Sequence, residues 1–136
     1  SLRDLGTVFT SVHGTLSSGK WFIFDLHTVE GLTTAGRAGD QLLANEDDLS
    51  VLASSDYDFE RQMQTTRYVV FQQDDGGWQR QTARRIRRGY PIQAVATLLR
   101  RSGFEVRAIT NDRFVTLDPG APGTMRVIFI TVKVDN

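Results

Sequence analysis

The sequence predicts an α/β fold in which a mixed sheet, flanked by helices, carries an antiparallel β-meander as an insertion. Three observations predict it. An amphipathic helix leads closely into the near-continuous apolar run Trp21–Leu26. A stretch from Leu49 to Tyr90 reads as consecutive antiparallel strands around an Asp-Asp-Gly-Gly turn. A second helix after Pro91 leads into another strand. Helix–strand units imply an α/β sheet, whereas successive strands joined by tight turns imply an antiparallel one.

Each element follows from its residues. Leu2, Leu5, Val8, Phe9, Val12 and Leu16 repeat at the 3.6-residue helical period. Ser1 and Asp4 have the spacing of a capping box. Ser17-Ser18-Gly19 ends this helix, with Gly19 supplying a left-handed turn. Trp21, Phe22, Ile23, Phe24 and Leu26 form a strand expected to be buried on both faces. Gly31 to Asp48 reads as an irregular connection. Leu49 to Ser54 alternates, Thr66–Phe71 is rich in β-formers, and Asp74-Asp75-Gly76-Gly77 is a hairpin turn returning through Trp78 to Tyr90. Pro91 suits the first helical position, and Ile92, Val95, Ala96, Leu98 and Leu99 give the apolar face. Arg100 and Arg101 favour the C-terminal end of this helix, and Gly103 caps it. Phe104–Thr110 is a strand, Asp118–Gly123 a turn-rich loop, and Met125–Val134 the last strand. We expect one domain over residues 1–136, with 1–30 and 91–136 forming the sheet-and-helix part and 49–90 the insertion.

Composition excludes several function classes. Sixteen basic residues balance sixteen acidic ones, so net charge argues for neither nucleic acid nor an anionic membrane. There is no cysteine and there are only two histidines, His13 and His27, so no thiolate or His-rich metal site is expected. No apolar run approaches the ~20 residues that span a bilayer, and no signal-peptide pattern is present; a cytoplasmic protein is expected. Ser1 already begins a well-formed helix, so we expect a piece of a longer protein.

In order, "SLRDLGTVFTSVHGTLSSGKWFIFDLHT", the meander "SDYDFERQMQTTRYVVFQQDDGGWQRQTARRIRRGYP", "YPIQAVATLLRRSGFEV" and "RVIFITVKV" cover nearly the whole chain. This series resembles the C-terminal half of class I S-adenosylmethionine-dependent methyltransferases, in the subgroup with an antiparallel β insertion after the fifth strand. Gly19-Lys20 stands where the family has a Gly pair, and "LLRRSGF" matches its helix entering the sixth strand. The resemblance implies a partial Rossmann-like sheet and S-adenosylmethionine as cofactor of the intact protein. It also implies a small-molecule methyl acceptor covered by the insertion, and a missing N-terminal half. The family's Gly-rich cofactor loop and its ribose-binding acid would lie in that half. Gly36-Arg37-Ala38-Gly39 has no strand before it and is a poor nucleotide loop. No cofactor-binding residue is therefore expected here, and the fragment alone should be inactive.

Asp25, His27 and Thr28 follow the apolar strand, at the end where open α/β sheets bind ligands. His27, in place of an Asn frequent in the family, would contact substrate or remove a proton from the accepting atom; otherwise it is a loop residue bonding its own backbone. Asp25, Thr28, Tyr57, Arg85 and Tyr90 are the candidate substrate contacts, and His27 the candidate catalytic residue. His13 reads as a surface residue. The basic run Arg80, Arg84, Arg85, Arg87 and Arg88 reads more simply as cross-strand ion pairs with Asp56, Asp58, Glu60, Asp74 and Asp75 than as a nucleic-acid stripe. One of these arginines would still suit a substrate carboxylate. Tyr57, Tyr68 and Tyr90 read as half-buried sheet packing or pocket lining. No Ser-His-Asp set, carboxylate pair or HExxH motif can be assembled. The competing function is a stand-alone small-ligand-binding or dimerisation module. In either case the unpaired Trp21–Leu26 edge invites a homodimer.

Overall fold

The computed structural model describes residues 1–37, 39–117 and 125–135. The chain divides into two compact units, Ser1–Gly31 with Tyr90–Asn136, and Leu32–Gly89.

The first unit contains α1 (Leu2–Thr15), β1 (Trp21–His27), α3 (Ile92–Arg101), β6 (Phe104–Thr110) and β7 (Arg126–Lys133). The eight-residue helix α2 (Val29–Gly36) begins in the first unit and continues into the second, which starts at Leu32. The three strands lie in the order β1-β7-β6, with β7 antiparallel to both neighbours, so β1 and β6 run parallel to each other. α1 starts on the capping box that Ser1 and Asp4 predict. Its C-terminal carbonyls are held by β7: Lys133 Nζ donates to His13 O and Leu16 O, each at 2.7 Å. That places a cation where the helix dipole favours one. The helix ends at Thr15, so Gly19 (φ +76°) does not cap it but turns the chain into β1. Pro91 is the N-cap of α3, one position before its first helical residue.

Both long helices cover the same sheet face. Phe9 of α1 and Val95, Ala96 and Leu99 of α3 bury against Phe104, Val127 and Phe129, with Phe22, Phe24 and Leu26 packed around them. The Phe24 and Phe129 rings stack at 5.2 Å, and Phe9 lies 5.2 Å from Phe24; such pairs add ~0.5–1.5 kcal/mol each beyond area burial. This arrangement corrects the expectation for β1. The strand is buried on one face only: Trp21 and Ile23 on the other remain 57 % and 53 % exposed. The reason is geometric, since α1 and α3 both lie over the Phe22–Phe24–Leu26 side. β1 is also an edge strand, with β7 its one strand neighbour among the described residues. His13 is corrected too. It is half-buried, its ring edge-on to Phe104 at 5.4 Å, beneath Gly103 (φ +90°), where a Cβ would lie 2.4 Å from His13 Nε2.

The second unit is a four-stranded antiparallel meander in the order β2-β3-β4-β5, formed by Gln41–Glu46, Leu49–Asp58, Met63–Asp74 and Gly77–Arg88. The Asp-Gly hairpin forms as expected: Asp74 pairs with Gly77 (φ +103°), and Gly76 N donates to Asp74 Oδ1 at 2.8 Å. The segment read as an irregular connection instead holds α2 and β2. Both were obscured for physical reasons. α2 contains two glycines and adjacent threonines, all poor helix formers. β2 is a largely exposed edge strand with a register shift between Leu42 and Ala44, so it shows no apolar period. The stretch Asp118–Gly123 lies outside the described residues.

Candidate functional site

Two groups of polar residues stand out, one in each unit. In the first, β1 ends at His27, and Thr28 forms a parallel bridge with Tyr90, whose N–H donates to His27 O at 3.1 Å. Thr28 N donates to Met125 O at 3.0 Å. The Thr28 side chain, 5 % exposed, accepts from Gly31 N at 2.8 Å. Thr28 therefore sits as an N-cap on α2, satisfying one of the N–H groups that a helix start leaves open. Gly31 follows from the same closeness: a Cβ there would lie 2.3 Å from Met125 Cα and 2.8 Å from Thr28 Oγ1. Asp25 lies on the strand's outward face and forms an ion pair with Arg126.

The structure thus brings His27, Thr28 and Tyr90 together at the C-terminal end of β1, with the Asp25–Arg126 pair on the adjoining rows. Sequence reasoning missed Gly31 and Arg126 here. The glycine that makes α2 hard to read as a helix is the residue that lets it approach the start of β7.

In the second unit, Tyr57, Gln64 and Arg87 stand directly opposite one another across β3, β4 and β5, and Ser55, Thr66 and Arg85 form the neighbouring row. Directly paired residues share a sheet face, and so do rows two apart; these six are therefore on one side. Gln64 and Thr66 are buried, at 1 % and 4 % exposed. Ser55 Oγ and Thr66 Oγ1 are 2.9 Å apart. Gln64 Nε2 donates to Leu32 O at 3.4 Å, and Arg87 donates through Nη2 to Gln64 Oε1. Burial, followed by the nearby Arg85 charge, holds the Arg87 guanidinium below its ordinary pKa.

The expectation of cross-strand ion pairs along the arginine run is not met. Among the described residues the meander's ion pairs are Arg61–Asp58 and Arg67–Asp56, and none involves Arg80, Arg84, Arg85, Arg87 or Arg88. Register explains this. Among the described residues β5 is an edge strand whose one neighbour, β4, places Phe71, Arg67, Thr66, Gln64 and Met63 opposite those arginines. Asp56 and Asp58 lie one strand further away, on β3. An arginine-rich edge also resists pairing with another sheet.

Among the described residues no three His, Asp or Glu side chains are grouped as metal ligands, and no helix is long and apolar enough to cross a membrane. The residues present also do not fit a dinucleotide-type cofactor loop. Gly36 ends α2 rather than following a strand, and it packs so that a Cβ would lie 3.2 Å from Tyr57 Cβ.

No family model and no curated protein matches the chain. Solved structures do match. An S-adenosylmethionine-dependent methyltransferase from Clostridium acetobutylicum aligns with 99 % of this chain at TM-score 0.78 and 15 % identity. The CcbJ methyltransferase from Streptomyces caelestis aligns with 99 % at TM-score 0.75 and 14 % identity. CalS10, an amino pentose methyltransferase from Micromonospora echinaspora, aligns with 98 % at TM-score 0.66 and 9 % identity. The alignments take in 53 %, 52 % and 52 % of those proteins, so the chain spans about half the length of the structures it matches.

Proposed function

We propose, from a chain that has the fold of the C-terminal half of class I S-adenosylmethionine-dependent methyltransferases, that it is the acceptor-handling, substrate-covering part of such an enzyme. The observation that carries this reading is the match of nearly the whole chain, at TM-score 0.78, to only 53 % of a methyltransferase. The single-faced sheet of the first unit supports it. Trp21 and Ile23 on an uncovered face, beside an unpaired β1 edge, are what a sheet presents when its remaining strands and helices lie in another segment. The acceptor is a small molecule, as the name of the amino-pentose enzyme supports. The neutral charge and the absence of cysteine fit a cytoplasmic protein that binds no nucleic acid.

S-adenosylmethionine supplies the methyl group when bound to the other half, and no residue here is assigned to it. The chain's own contribution is positioning, exclusion of water and proton removal. His27, at the ligand-binding end of β1, takes the proton from the accepting oxygen or nitrogen. Asp25, Thr28 and Tyr90, in the same unit, orient the acceptor beside it; Tyr57 and Arg85 are candidate substrate contacts on the second unit's own face. Thr28 acts chiefly through the cap it places on α2.

The test is transfer of an isotopically labelled methyl group by the longer protein containing this chain. Labelled product from a small-molecule acceptor is expected, and His27→Ala should lower kcat by ~10²-fold or more, the usual contribution of a positioned base. Cofactor binding without transfer to any small-molecule amine or hydroxyl would overturn the reading.

A further inference from the structure

The row Tyr57–Gln64–Arg87 holds chemistry that methyl transfer itself does not require. The Tyr57 hydroxyl and Arg87 Nε are both buried, and both lack a hydrogen-bond partner among the described residues. Buried polar groups are nearly always paired, so each such exception calls for a cause. Both groups are donors, and they flank the same buried glutamine. Gln64 does not serve them: its Oε1 accepts from Arg87 Nη2 and its Nε2 donates to Leu32 O, and neither the Tyr57 hydroxyl nor Arg87 Nε bonds to it. What the row lacks is an acceptor.

The row also lacks negative charge. Arg85 and Arg87 share this face without a carboxylate partner among the described residues, while Asp56 and Asp58, the acids of β3, stand in rows of the opposite face and pair with Arg67 and Arg61. Arg87 as a whole is half-buried, so part of its side chain remains exposed even though Nε is covered. Gln64 meanwhile holds the fork in one orientation, the preorganisation that makes an arginine selective for a planar two-oxygen anion.

We propose that Arg87, set by Gln64 and assisted by the Tyr57 hydroxyl, binds a carboxylate on the methyl acceptor. This deepens the methyltransferase reading and rests on it for the ligand's identity, although the binding site lies wholly within the second unit. A carboxylate brought to this face supplies the missing acceptor and offsets the mutual repulsion of Arg85 and Arg87.

The test is a titration of the ¹⁵N-labelled chain with sodium acetate and, separately, with acetamide, which has the same shape without the charge. The Arg87 Nε–H resonance is expected to shift saturably with acetate and at least tenfold less with acetamide. Arg87→Gln should abolish saturation, and Arg87→Lys, which keeps the charge but loses the fork, should weaken binding about tenfold. Arg84→Gln, on the opposite face, should leave it unchanged. Equal, non-saturating shifts at Arg84 and Arg87 in the parent chain would overturn the proposal, as would saturation that survives Arg87→Gln in a variant with a native amide spectrum. Methyl transfer plays no part in this readout, so failure here and failure of the labelled-methyl test are separate results.

Discussion

Gly31→Ala probes the junction on which the β1 end of the candidate site depends. A Cβ at this position would sit 2.3 Å from Met125 Cα, 2.8 Å from Thr28 Oγ1 and 2.9 Å from Met125 O. Carbon atoms in contact prefer ~3.5–4 Å, so α2 or the start of β7 must retreat by more than ~1 Å. Overpacking of this kind costs ~1–3 kcal/mol. The retreat also breaks the 2.8 Å bond from Gly31 N to Thr28 Oγ1, a cap worth ~1 kcal/mol. Alanine's better helix propensity returns at most ~1 kcal/mol. The net loss is therefore about 1–3 kcal/mol. With an m-value of ~2 kcal/mol/M in urea, the midpoint falls by roughly 0.5–1.5 M. The assay is urea unfolding followed by Trp21 fluorescence in a Trp78→Phe background, so that the signal comes from the first unit alone. Gly14→Ala is the control: it lies within α1 with nothing within 4 Å of its Cβ, and its midpoint should stay level or rise. A Gly31→Ala chain as stable as its parent would refute the packing argument.

Further outcomes follow from the same geometry. Thr28→Ala should lower stability by ~1 kcal/mol through loss of the α2 cap, and Thr28→Ser should restore most of it in the same unfolding assay; equal losses in both would rule out the cap. Asp58 accepts backbone bonds from Arg61, the leading cause, and from Glu60, so its pKa lies below 3.8 in the folded chain. A depressed carboxylate contributes stability that is present above the unfolded value and lost as pH falls through the folded one. Its ¹³C carboxyl titration should therefore have a midpoint below 3.8, and a midpoint at or above that value would contradict the bonding. The unpaired β1 edge should make the isolated chain a homodimer in sedimentation experiments, and Ile23→Lys should return it to monomer; a monomeric parent chain would remove the edge from consideration.

Much of the fold could be read from local chemistry. α1 carries its own period and capping box, α3 its apolar face and basic last turn, and the β4–β5 hairpin its Asp-Gly turn, all of which depend on near neighbours. What could not be read depends on distant ones. The run Trp21–Leu26 contains no sign that α1 and α3 would choose the same face, so its outward side was expected to be buried. Gly31 and Gly36 weaken the helical signal of α2 because they meet Met125 and Tyr57, far away in sequence. The site was legible to a similar extent. His27, Thr28 and Tyr90 do meet at the end of β1, but a run of arginines does not by itself reveal that Arg85 and Arg87 share a face with Gln64 while Arg84 and Arg88 lie on the other. The turn does reveal it: counting outward from Asp74 and Gly77 pairs Gln64 with Arg87, and that register exposes the buried row.

Whether the cofactor site lies outside this chain is measured by calorimetry with S-adenosylmethionine. No binding heat is expected for this chain alone, and stoichiometric binding is expected for the longer methyltransferase that the proposed function implies. Stoichiometric binding by the isolated chain would contradict that placement of the site, as would a longer protein that binds no cofactor.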